Sequence, residues 1–257
     1  MSNYYKGKRS RNLFDPSSEE PFKISRSKLD LFLNCPRCFY IDRRLGVGQP
    51  PGFPFNLNSA VDALLKKEFD LYREKQEPHP IFIEHKLALL PFQHSKMDEW
   101  RDSLRRGIQF QIPGTKIMLT GGVDDVWVDP KTDEIFIADY KATSKTEAVS
   151  LDADWQIGYK RQAEVYQWLF RKNGFKVSDT AYFVYCNGRT DRDRFDGRLD
   201  FHISLIPYKG NAEWVEERVL AAEACLIAAE IPPHEEGCDF CLYTQTLQSV
   251  VIEALAD

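Results

Sequence analysis

The chain has 257 residues, 43% of them hydrophobic and 13% aromatic, enough for one large domain or two small ones with a sizeable core, which excludes a disordered chain. Its formal net charge of −5 excludes a histone-like coat of positive potential. No run approaches the length of about 18 apolar residues that a membrane span requires, and the opening MSNYYKGKRSRNLF lacks the apolar stretch of a secretory signal, so a cytoplasmic location without membrane contact is expected.

Residues 1–21 are polar and basic, with Lys6, Lys8, Arg9 and Arg11 and then DPSSEEP, which reads as a flexible arm. A single domain is expected over 22–243, followed by a C-terminal tail over 244–257. In SRSKLDLFLNCPRCFYIDRRLG the apolar spacing gives a short helix, a Cys-Pro break and a second helical piece ending at Gly46. The prolines of GVGQPPGFPFN exclude regular structure there. NSAVDALLKKEFDLYREKQ follows as a helix capped by Asn58 or Ser59, with Val61, Leu64, Leu65 and Tyr72 at helical spacing.

From Ile81 the texture becomes that of strands: IFIEHKLALL, KIMLTGGVDDVWV and EIFIADYKA. DADWQIGYKRQAEVYQWLFRKNG is expected to be a long helix, capped by Asp152 or Asp154 and closed by Gly174. Two further strands, DTAYFVYCNG and LDFHISLIP, precede the helix NAEWVEERVLAAEACLIAAE. The fold class is therefore α/β, a mixed central β-sheet flanked by helices.

With DPKTDE as a turn, Val128 faces Ile135, Val126 faces Ile137, Asp124 faces Asp139 and Gly122 faces Lys141. Side chains alternate along a strand, so Asp124, Asp139 and Lys141 project from one face at the end remote from the turn. Carboxylates on opposed residues, whose β-carbons lie about 4.5–5.5 Å apart, repel each other and call for a cation. A hard ion such as Mg²⁺ suits them and leaves room for phosphate oxygens. Lys141 is then placed to stabilise charge on a reacting phosphate, or to orient or deprotonate an attacking water. The plainer alternative is a solvated hairpin end in which Lys141 neutralises Asp139. On the following helix Gln162 and Tyr166 are one turn apart and point at one groove or into the core.

The order G-G-V-D, then D-Y-K, then Q-A-E-V-Y resembles the PD-(D/E)XK nuclease superfamily, in particular its RecB-type and CRISPR-associated exonuclease branch, from about Phe22 to Tyr243. The resemblance implies a restriction-endonuclease-like core that hydrolyses phosphodiesters with Mg²⁺ or Mn²⁺. Asp124 and Asp139 match the metal-binding acids, with the Tyr140 carbonyl as a further ligand; Lys141 matches the acid-x-lysine pair, and Gln162 and Tyr166 the Q-x-x-x-Y signature. Where this family commonly places a histidine ligand, this chain has Asp62, which can still bind the ion directly or through water. Glu84 is a weaker candidate. The implied substrate is DNA, as single strands or duplex ends, and the implied partner a helicase or a CRISPR adaptation protein. Repair, recombination and defence are the implied settings. Arg43, Arg44, Lys160 and Arg161 are candidate phosphate contacts, although charge clusters of this kind are also ordinary solvated faces. The rival readings are a non-cleaving nucleic-acid-binding or scaffold subunit of a helicase–nuclease complex, and a zinc-stapled protein with no nucleic-acid role.

Four of the six cysteines form two C-x-x-C pairs, Cys35 with Cys38 and Cys238 with Cys241. Together they make a tetrahedral sulfur site for zinc or a 4Fe–4S cluster that joins the N- and C-terminal segments. The resemblance favours the cluster, because that branch often binds one through one early and three late cysteines; the two-plus-two arrangement here keeps zinc as the alternative. Cys186 and Cys225 are expected in the core, and none of the histidines is expected to be a ligand.

Overall fold

A computed structural model describes residues 7–52 and 55–256; Lys6 and the start of the expected arm lie outside the described residues. In chain order the elements are β1 (Phe22–Ser25), α1 (Arg26–Asn34), α2 (Pro36–Tyr40), a π-helical turn (Ile41–Leu45), α3 (Asn56–Lys75), α4 (Pro80–Glu84), β2 (Leu90–Pro91), α5 (Met97–Arg101), β3 (Ile108–Gln111), β4 (Ile117–Gly121), β5 (Asp125–Asp129), β6 (Glu134–Thr143), a 3₁₀ turn (Asp154–Gln156), α6 (Ile157–Lys172), β7 (Thr180–Gly188), β8 (Phe201–Lys209), α7 (Trp214–Ile227) and α8 (Asp239–Ala256). The chain folds as two compact units, one of Met1–Phe53, Gln111–Leu119 and Glu216–Asp257, the other of Pro54–Phe110 and Thr120–Val215.

In the first unit Ile24, Leu29, Phe32 and Phe39 are buried, with Phe32 edge-on to Phe39 at 5.3 Å. Pro36 opens α2, where its missing N–H costs nothing, so the Cys-Pro break reads directly from the sequence. Gly46 ends the π-helical turn at φ +86°, and a β-carbon there would lie 2.4 Å from the Arg9 carbonyl oxygen. Residues 7–21 are fastened: Phe14 is buried against Phe22, Arg9 pairs with Asp42 at 2.7 Å, and the Lys116 ammonium donates to the carbonyls of Pro16 and Ser18. Residues 239–256, which include most of the expected tail, form helix α8.

The second unit is built on a five-stranded sheet of order β2-β5-β6-β7-β8, in which only β6 and β7 run parallel. A parallel pair needs a long crossover, and α6 supplies it. In the first unit β1 pairs with β4 in a smaller sheet. On β6 the residues alternate: Ala138 and Tyr140 join Trp127, Phe69 of α3 and Phe82 of α4 in one core cluster, and Ile135, Ile137 and Asp139 face the other way. Phe69 stacks on Trp127 at 5.5 Å and Phe82 meets it edge-on at 4.7 Å.

Four expectations need correction. IFIEHKLALL is not a strand: Pro80 and the His79 ring, which accepts the Ile81 N–H at 3.2 Å, start the short helix α4, and only Leu90–Pro91 pair as β2. KIMLTGGVDDVWV is two strands, broken where the Val123 N–H turns to the Trp100 carbonyl at 3.1 Å. Helix α3 starts at Asn56, ahead of the expected cap, because the Asn58 side chain bonds the Ala142 carbonyl and the Ser59 hydroxyl donates back to Phe55. Gln156 precedes α6 through a 3₁₀ turn in place of an aspartate cap, its side chain accepting the Ala153 N–H at 3.0 Å. Gly174 ends that helix at φ +88°, as its position suggested.

Candidate active site

The hairpin register is the expected one, with Val126 opposite Ile137 and Val128 opposite Ile135, but the ladder stops at Asp125–Ala138. Asp124 sits one residue beyond it and is held by a different bond: the Tyr140 N–H donates to Asp124 Oδ2 at 2.9 Å. Asp139, almost fully buried, forms an ion pair with Lys141, whose ammonium also lies 4.4 Å from the centre of the Tyr159 ring. Burial works against the Lys141 charge, but Asp139 and then Asp124 outweigh it and raise the pKa, so the ammonium stays protonated at neutral pH.

Asp62 and Lys66 are one turn apart on α3. The Lys66 ammonium lies 2.8 Å from each Asp62 carboxylate oxygen and 3.3 Å from Asp124 Oδ1. Burial first, and the negative charge of Asp124 with it, raises the Asp62 pKa against the pull of Lys66. Burial likewise opposes the Lys66 charge, and Asp124 and Asp62 more than restore it. Gln162 and Tyr166 meet on α6, the Gln162 amide donating to the Tyr166 hydroxyl at 3.3 Å.

The four cysteines also come together, within the first unit. Their sulfurs all lie within 4.8 Å of one another, with Cys38 at 3.5 Å from both Cys238 and Cys241, and Cys35 at 3.8 Å from Cys241.

A family model for the PD-(D/E)XK nuclease superfamily matches residues 23–246. The chain belongs to that superfamily. PD-(D/E)XK nucleases are in general metal-dependent enzymes, so a nucleic acid is the implied substrate and a divalent ion the implied cofactor. The donors here suit such an ion, for Asp124 and Asp139 offer hard carboxylate oxygens. The Tyr140 carbonyl adds to them: the N–H and C=O of a strand residue point the same way, and the Tyr140 N–H points at Asp124. No curated protein matches the chain by sequence. Among the described residues no helix is long and apolar enough to cross a membrane.

In this PD-(D/E)XK chain the two glycines of G-G-V-D have steric causes. A β-carbon on Gly121 would lie 2.5 Å from Cε1 of Tyr166, and one on Gly122 would lie 2.4 Å from Cβ of Ser103. Gly121 thus leaves room for the ring of the Q-x-x-x-Y tyrosine. Gly121→Ala is expected to cost about 1–3 kcal/mol by overpacking, and the loss should shrink in a Tyr166→Ala background, where the clash is absent. Equal losses in both backgrounds, read from urea midpoints, would remove this explanation of the glycine.

Asp125, Arg73, Arg101 and Lys66 were not expected at the site. Asp125 is fully buried on the opposite face from Asp124, where Arg73 pairs with it, Arg101 lies 3.2 Å away, and the Tyr140 hydroxyl donates to it at 2.7 Å. Arg101 also donates to the Asp124 carbonyl at 3.0 Å, so this cluster fixes the strand end from behind. The alternation that put Asp124 on one face put Asp125 on the other, and Lys66 stood four residues after Asp62; those were the available signals.

The basic candidates separate. Arg43 is buried, its guanidinium 5.0 Å from the Phe22 ring, and Arg44, half-buried, bonds the Leu226 carbonyl and lies over Tyr40. Lys160 and Arg161 are half-buried on α6, next to Gln162. Glu84 is exposed at the end of α4. Cys186 is buried in β7. His79 stacks on Phe69 at 4.0 Å, a packing role.

Proposed function

We propose that the protein is a divalent-metal-dependent deoxyribonuclease of the RecB-type and CRISPR-associated exonuclease branch, cleaving single strands or duplex ends in repair, recombination or defence. The observation that carries this is the convergence of Asp124, Asp139 and Lys141, with Asp124 held by the Tyr140 amide. Asp124, Asp139 and the Tyr140 carbonyl would hold Mg²⁺ or Mn²⁺. Such an ion makes a bound water more acidic and polarises the phosphoryl oxygen. Lys141, kept protonated by its acidic neighbours, donates hydrogen bonds to the attacking water and offsets charge that develops on the phosphate. Its ion pair with Asp139 and its place over the Tyr159 ring fix the ammonium for orientation and charge stabilisation. Gln162 and Tyr166 position the substrate strand, and Lys160 and Arg161 contact phosphates, a contribution that salt weakens. A cytoplasmic location, and a helicase or CRISPR adaptation partner that delivers DNA ends, fit this reading.

The sulfur spacing supports zinc over the 4Fe–4S cluster. Four thiolates bound at about 2.3 Å to one tetrahedral ion are about 3.8 Å apart. In a 4Fe–4S cluster each thiolate sits on a separate iron, which spreads the sulfurs further. Three of the six separations are 3.5–3.8 Å and none exceeds 4.8 Å, which is nearer to a single ion than to a cluster.

The decisive experiment is degradation of end-labelled single- and double-stranded DNA with Mg²⁺ or Mn²⁺. Mononucleotide release from one end is expected, and the product ladder reports exonuclease or endonuclease action. DNA that is retained in a shift assay but never cut, with or without a helicase, would favour the scaffold reading instead.

A further inference from the structure

Lys66 stands where the site would otherwise be most negative. Its ammonium has three N–H donors, and three carboxylate oxygens lie within reach: both oxygens of Asp62 at 2.8 Å and Asp124 Oδ1 at 3.3 Å. The lysine is half-buried, with 23% of its side chain exposed, so the contact is shielded in part from salt and water. It bridges the same two residues, Asp62 on α3 and Asp124 ahead of β5, that could share a second ion beside the one on Asp124 and Asp139.

Charge points in the same direction. Asp62, Asp124 and Asp139 contribute three negative charges, and Lys66 and Lys141 two positive ones, leaving one net negative charge. One divalent ion more than neutralises that, and in the absence of a phosphate a second would press a further double charge against two ammonium groups. Asp124 can still serve one ion while touching Lys66. A carboxylate has about four lone-pair positions, and here one faces Lys66 and one the Tyr140 N–H.

We propose that the Lys66 ammonium takes the place of a second metal ion between Asp62 and Asp124, so that the site loads a single divalent ion. This rests on reading Asp124 and Asp139 as metal ligands. Lys66 is a positioning residue: it holds the inner side of Asp124 and turns Asp62 away from metal ligation.

The test is the count of Mn²⁺ bound per zinc-loaded chain, from depletion of the free-ion electron paramagnetic resonance signal, for wild type, Lys66→Met, Lys66→Gln and Asp139→Asn, each checked by its melting curve. Wild type is expected to bind one ion, and the folded Lys66 variants two, the pair showing a broadened, spin-coupled spectrum. Two ions in wild type, or one in both Lys66 variants, would overturn the proposal. Asp139→Asn is expected to bind none; if it binds as wild type does, the ligand assignment itself fails, a result distinct from a wrong count in the Lys66 variants.

Discussion

Lys141→Ala is expected to lower DNA cleavage by about 10²–10⁴-fold, the range over which a single positioned proton-handling or charge-stabilising group acts. The lysine is held between the Asp139 carboxylate and the Tyr159 ring, so its ammonium is fixed before substrate arrives. The change should appear in kcat, with KM nearly unchanged, because developing charge is met only in the transition state. Binding of Mn²⁺ should tighten in the same variant, since a neighbouring positive charge is gone. Lys141→Arg is not expected to rescue, because a planar guanidinium does not replace a compact ammonium. Asp124→Asn gives the complementary result: the amide oxygen still accepts the Tyr140 N–H, so the fold stands, but metal affinity falls and cleavage with it. Lys141→Ala that cuts at the wild-type rate would take this residue out of the reaction.

The hairpin could be read from the sequence because two independent signals agree there. The turn DPKTDE fixes the register as far as Asp125 and Ala138, and alternating Val and Ile fix the faces; Asp124, one residue beyond the ladder, is placed by the Tyr140 N–H. Lys66 is different. Its spacing to Asp62 is local, but its contact with Asp124, 58 positions away, has no local pattern to mark it. Arg43 and Arg44 show the same in reverse: a basic doublet looks solvated until a ring and a carbonyl are found beside it. The segment IFIEH misled because three apolar residues in a row suit a buried strand as well as one helical turn; the preceding His79-Pro80, a cap and a first-turn proline, was the signal that decided it. Glycine in G-G-V-D marked a family motif in the sequence, yet its cause, the ring of Tyr166 lying 2.5 Å from where a β-carbon would be, is purely tertiary.

Cys35→Ser is expected to abolish zinc binding and to destabilise the unit that carries the four thiols by about 5 kcal/mol or more. The lower figure is chain entropy. Cys38 and Cys238 are 200 residues apart. Cross-linking a loop of about 100 residues is worth about 4.7 kcal/mol, and doubling the length adds only about 0.6 kcal/mol. The upper bound is the binding energy of a structural zinc ion, about 10–16 kcal/mol in small peptides, much of which appears as folding free energy. Either is comparable with the whole stability of a domain, about 5–15 kcal/mol, so the variant should melt far below wild type or fail to accumulate. Elemental analysis of wild type purified without oxygen is expected to show one zinc per chain, with no sulfide and no visible absorption. Four irons with inorganic sulfide would instead establish the cluster, and the thiols would then have to move apart from their 3.5 Å contacts to receive it. Unchanged metal content and melting temperature in Cys35→Ser would remove the shared site altogether. Since the carboxylates and Lys141 belong to the other unit, a surviving Cys35→Ser protein should lose stability while the cleavage rate per folded molecule stays near wild type. That separation distinguishes a structural ion from one that takes part in the chemistry.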